Sequence, residues 1–147
     1  MKPTLATKLF GLTVCLLLSP AAHAEGKAVF VPAASAPWGK VPDAPGVQIA
    51  PLQGNPGKGA SHFLLKFPAG FSAPLHHHTA DHFVTVVAGT LVLVVGGKEQ
   101  RFGPGSYFSF AGKKQHATRC EPGAECVLAM DVRGRWDVVP AAETAKR

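Results

Sequence analysis

The sequence predicts an all-β fold, one small barrel or sandwich of short strands, and three observations carry that prediction. Apolar runs of four to seven residues recur at 62–67, 83–87, 91–95, 107–110, 117–120 and 126–132. Glycine-containing turns at 68–70, Gly89, 96–97, 103–105 and 122–123 separate them. No segment sustains the i, i+3, i+4, i+7 spacing of an amphipathic helix. With 147 residues the chain holds one such domain, expected over residues 59–138. Residues 91–95 (LVLVV) are apolar on both faces. One face packs inside, and the other needs a cover, for which a second subunit, making a homodimer, is the candidate.

The flanks read differently. Lys2 and Lys8 form a positive region ahead of an apolar stretch of about ten residues, Leu9 to Leu18. Ser19-Pro20 breaks any helix there, and Ala22-His23-Ala24 supplies a small–x–small cleavage site before Glu25. Residues 1–24 are therefore expected to be a secretory signal peptide, which places the mature chain in the periplasm or outside the cell. The run is about half of what a membrane span needs, so no membrane contact is expected after cleavage. Val14 before Cys15 does not fit a lipoprotein site. Six prolines (Pro32, Pro37, Pro42, Pro45, Pro51, Pro56) mark residues 25–58 as an irregular arm, with Trp38 as its anchor. Residues 139–147 read as a polar tail.

Cleavage removes two lysines and no acid, lowering the formal net charge from +6 to +4. The remaining bases are scattered and do not interleave with aromatics, so no nucleic-acid partner is expected. No glycine-rich phosphate loop or G-x-S-x-G elbow is present. Cys120 and Cys126, with five residues between them around a Pro-Gly turn, read as facing cysteines of a hairpin that form a disulfide in an oxidising compartment.

Four histidines cluster within seven residues: His76, His77, His78 and His82. On a strand, residues two apart share a face, so His76 and His78 can meet one ion while His77 points away. Neutral imidazole binds Fe, Mn, Ni, Zn and Cu, and several imidazoles buried together need a metal to satisfy their nitrogens. His62, standing alone, reads as a surface or core residue.

Gly70-x5-His76-x-His78-x3-His82-x6-Gly89 resembles the first motif of the cupin superfamily, G-x5-H-x-H-x3,4-E-x6-G. Gly105-x5-Ala111-x4-His116 resembles the second, G-x5-P-x-G-x2-H-x3-N. The resemblance implies a cupin barrel (a double-stranded β-helix or jelly roll) holding one divalent transition metal ion on His76, His78, His82 and His116. Three departures stand out: His82 replaces the glutamate, Ala111 and Lys113 replace the proline and second glycine, and Cys120 replaces the asparagine. Residues 51–56 and 66–70 also resemble a subgroup of small bacterial cupins, some compared with acetylacetone and other β-diketone dioxygenases.

Four neutral ligands leave about +2 on a divalent ion, where a glutamate would leave about +1. That favours a small anionic or enolisable ligand. Strand parity adds Val84, Val86, Thr118, Leu128 and Met130 as an apolar pocket lining. Tyr107, Arg101 and Asp131 are the nearest polar side chains and read as structural. Two functions follow: a metal-dependent oxygenase-type enzyme, or a non-catalytic periplasmic cupin that binds or senses a metal or ligand.

Overall fold

The computed structural model describes residues 27–141. The export-signal reading of residues 1–24 lies outside the described residues, as does the tail from 142 onward. Among the described residues no helix is long and apolar enough to cross a membrane. One 3-10 turn, Ala33–Ser35, precedes eleven strands: β1 Gly39–Lys40, β2 Gln48–Gly54, β3 Ser61–Phe67, β4 Ser72–His77, β5 His82–Ala88, β6 Leu91–Val95, β7 Lys98–Phe102, β8 Tyr107–Phe110, β9 His116–Cys120, β10 Cys126–Val132 and β11 Val139–Pro140. They pair antiparallel into two sheets, β1-β2-β3-β10-β5-β8 and β11-β4-β9-β6-β7, the two-sheet form of a jelly roll rather than one closed hydrogen-bonded ring.

Alternation builds the core. Along β3, β9 and β10 every second residue is buried, and the inward set Phe63, Leu65, Phe67, Leu128, Met130 and Val132 meets Leu91 and Leu93 from the opposite sheet. Leu91, Val92 and Leu93 are all buried within the chain. A disulfide joins Cys120 to Cys126, with Cα atoms 5.8 Å apart. Its strands are not hairpin partners: β9 pairs with β4 and β6, while β10 pairs with β3 and β5, so the bridge ties one sheet to the other.

Both flanks are more regular than the sequence implied. The proline-rich arm contains β2, which pairs with β3 despite Pro51. β1 covers only Ile49 and Gln48, so the strand is an edge beyond them, and the register shifts between Pro51 and Gln53. A missing N–H is tolerated at such an edge and bulge. Lys66 Nζ lies 4.5 Å from the centre of the Trp38 ring, which fixes the arm to β3. In the expected tail, Val139 and Pro140 pair with His77 and His76. β7, a polar edge strand, had no apolar pattern to announce it.

Candidate metal centre

Three strand ends converge at one end of the sandwich. His76 lies on β4 directly opposite His116, which opens β9; His78 follows β4, and His82 opens β5. Parity decides which face each ring takes: His76 and His78 are buried, while His77 between them is half-buried and pairs with Val139 of β11. Two hydrogen bonds from backbone N–H groups hold the loops in register. The Lys113 N–H donates to the His78 carbonyl at 2.7 Å, and the Gly112 N–H donates to Asp81 Oδ1 at 2.6 Å. A Cβ at Gly112 would lie 2.3 Å from the Thr79 carbonyl oxygen, so only glycine permits that approach. Lys113 replaces the motif's glycine yet keeps a left-handed backbone, φ 67°.

All four imidazoles present Nδ1 to a backbone carbonyl: His76 to Pro74 at 2.7 Å, His78 to Asp137 at 2.5 Å, His82 to Ala80 at 3.3 Å and His116 to Lys114 at 3.0 Å. A carbonyl only accepts, so each Nδ1 carries the proton and each Nε2 keeps its lone pair. This is the outer support that metal-binding histidines use. Candidate donor atoms of His76, His78 and His116 lie within 4.8 Å of one another. Two atoms bound to one ion at zinc–nitrogen distances stand at most about 4.2 Å apart, so the trio fits an ion after small ring rotations. His82 is buried beside it, with ring centres 4.7 Å from His78 and 5.9 Å from His116, but does not belong to that tight group.

Burial dominates the electrostatics. Desolvation drives the His78 pKa down to about 3 and that of His116 to about 4, and it lowers His76 and His82 as well. The carbonyl contacts oppose the shift, and the neighbouring imidazoles add to it in each case. The rings are therefore neutral near neutral pH, the form that binds a metal.

Nothing in the motif spacing marks Trp136 or Asp137, yet both belong to this site. Residues 133–141 run as a strap across it, hydrogen-bonded from Arg133 N–H to the Asp81 carbonyl and from Trp136 N–H to that of Pro56. Trp136 stacks on His78 with ring centres 3.9 Å apart and meets Phe63 edge-on. The Asp137 carboxylate accepts from the Thr79 backbone N–H at 2.8 Å and from its hydroxyl at 2.7 Å. Their only sequence signal is an aromatic-plus-acid pair just after the last core strand.

The four histidines open into a cleft of about 920 Å³. Val84, Thr118, Leu128 and Met130 line it, together with Phe108 and Trp136. Val86 is fully buried in the core and is not among the residues that line the cleft. His62, Asp131 and Tyr107 lie on the outer face of the six-stranded sheet, where His62 sits 3.8 Å from Asp131. Arg101 on β7 pairs with Glu121 at 2.7 Å.

The Cupin domain family matches residues 63–132. No curated protein matches the chain. Among solved structures, the polyketide cyclase RemF from Streptomyces resistomycificus superimposes with a TM-score of 0.67 at 18% identity, covering 81% of this chain and 89% of that one. KdgF from Halomonas sp. gives 0.61 at 22%, covering 74% and 96%. The DMSP lyase DddQ from Ruegeria pomeroyi DSS-3 gives 0.61 at 21%, covering 77% and 64%. At these identities the likeness is one of fold. With both histidine motifs, the two-sheet jelly roll and the family match in hand, residues 63–132 are a cupin domain.

Proposed function

We propose that this cupin is an exported, metal-dependent enzyme of oxygenase type that acts on a small anionic or enolisable organic substrate. The observation that carries the reading is the set of neutral imidazoles, each with Nδ1 on a carbonyl, facing a mainly apolar cleft. His76, His78 and His116 hold the ion. His82 is the fourth donor: its carbonyl contact, at 3.3 Å, is the longest of the four, so its ring is the freest to turn inward. A divalent transition ion bound there supplies Lewis acidity toward a chelating anion. Val84, Leu128, Met130 and Trp136 exclude water and lower the local dielectric, which strengthens the attraction for that anion. The Asp137 carboxylate is occupied by Thr79, so it holds the strap rather than moving a proton. The resemblance to β-diketone-cleaving cupins points the same way by analogy. Export is supported by the leader-like N-terminus and by the Cys120–Cys126 bridge, a bond that persists in oxidising compartments.

The test is to purify the protein from its native host, measure its metal content and N-terminal mass, and load the apo form with Fe(II) anaerobically. Oxygen uptake on addition of β-diketones, flavonols or catechol-like acids, by a chain starting near Glu25, is the expected result. Fast, reversible ligand binding with no turnover for any metal would replace the enzyme with a binding or sensor cupin. Recovery of the full-length chain from the cytoplasm would overturn export.

A further inference from the structure

Four arginines lie among the described residues, and three of them are ion-paired: Arg101 with Glu121 at 2.7 Å, Arg119 with Glu99 at 3.2 Å and Arg133 with Asp131 at 3.1 Å. Arg135 makes no ion pair among the described residues, and it is the one arginine that lines the histidine cleft. Its place is fixed by the strap. The backbone is hydrogen-bonded on both sides of it, at Arg133 and Trp136, and Gly134 lets the strap lie against Ala80, where a Cβ would stand 3.1 Å from the Ala80 methyl. Two carboxylates share the cleft. Asp137 is engaged by Thr79, and Asp43 is exposed on a turn with φ 60°. The Arg135 charge is among the causes that hold the Asp137 carboxyl below its ordinary range, but among the described residues neither carboxylate forms an ion pair with the guanidinium. With an ion on the histidines the cleft would offer two positive centres, that ion and the exposed Arg135 guanidinium, with apolar walls of Val84, Leu128 and Phe108.

We infer that Arg135 selects for a distal carboxylate, so that the preferred ligand is a small organic dianion whose one end chelates the ion and whose other end meets the guanidinium. This rests on the metal reading above and narrows it to a substrate class. A planar guanidinium takes a carboxylate in two parallel hydrogen bonds, which makes the contact selective as well as attractive.

The test uses the Co(II)-loaded full protein under anaerobic conditions, with ligand binding read from the cobalt visible absorption. Matched probes share a chelating head and differ only at the tail: 2-oxoglutarate against 2-oxopentanoate, and 2-oxoadipate against 2-oxohexanoate. The dianion of at least one pair should bind about tenfold tighter than its methyl-ended partner. Arg135→Gln should abolish that preference while leaving the methyl-ended probe within about twofold, and Arg135→Lys should restore part of it. Equal affinities in the unsubstituted protein, or a loss on Arg135→Gln shared by both members of each pair, would overturn the role of Arg135 and leave the metal reading standing. No cobalt spectral change with any of the four probes would overturn both.

Discussion

At one end of the sandwich, buried imidazoles hang from backbone carbonyls beneath the strap; at the other, Cys120 and Cys126 are bridged and Gly89 is wedged against them. The same two strands reach both ends: β9 runs from His116 to Cys120, and β10 from Cys126, beside Phe67, to Val132, beside His82. A Cβ at Gly89 would lie 2.9 Å from Cys126 Sγ and 2.4 Å from the Glu125 carbonyl oxygen, so that end is closed tightly by covalent and steric fit. The histidine end instead buries polar groups that packing alone does not satisfy. One end holds the sheets together, and the other keeps a set of ligands ready at some expense of stability.

Removing a ligand should give the largest effect. His116→Ala, or the same change at His76 or His78, should lower metal affinity at least about a hundredfold, as measured by chelator competition. The apo protein should melt within a few degrees of the parent, because the change also removes a buried polar ring. His77→Ala should leave affinity nearly unchanged. If His77→Ala strips the metal while His78→Ala keeps it, the facing of β4 is wrong.

Breaking the bridge should do the reverse. The double change Cys120→Ala and Cys126→Ala opens a loop of sequence separation 6 and should cost roughly 2 kcal/mol in urea unfolding. Metal affinity should stay within a few-fold, since β9 remains paired on both sides, with β4 and β6. A parallel collapse of affinity would show that the ends are coupled through β9.

Acid should act on the histidine end alone. The unfolded chain titrates near the ordinary histidine value of 6.5, whereas the folded apo chain holds His78 to about 3 and His116 to about 4. Between those limits the unfolded state binds more protons, so stability is intact above about pH 6.5 and declines as the pH falls toward 4. The bridge does not titrate. Denaturant melts across this range should therefore show the double cysteine variant shifted down with its slope preserved, and His78→Ala with a shallower slope. An unchanged slope in His78→Ala would place the acid sensitivity elsewhere.

What could be read from the sequence divides along a related line. His76, His78 and His116 were legible because strand parity and motif spacing are local, and the core strands because alternation is local too. β2 was not, since Pro51 argues against a strand until one sees that it sits at an edge and a bulge. Trp136, Asp137 and β11 were hidden because their partners, Pro56, His78, Thr79, His77 and His76, lie roughly 55 to 80 residues away in sequence, and no period announces such pairings. The Cys120–Cys126 pairing was legible, but its role as a tie between sheets was not, because adjacent strands joined by a tight turn usually pair with each other.

The smallest expected effect tests whether the histidine end carries strain. Lys113 stands at φ 67°, a left-handed conformation that disfavours any side chain with a Cβ, at the position where the second cupin motif has glycine. Its N–H nevertheless donates to the His78 carbonyl at 2.7 Å, so this strained residue helps hold the loop of a ligand. Lys113→Gly would relieve the strain and keep that N–H, while gaining conformational freedom in the unfolded chain. The first term is the larger, so the change should stabilise the apo protein by about 0.5 to 1 kcal/mol, with metal affinity unchanged. Lys113→Ala, which keeps a Cβ, should give none of that gain. Matched thermal melts of the three proteins decide it. If glycine destabilises while alanine is neutral, the backbone at 113 is not strained, and the histidine end owes its lower stability to buried polarity alone.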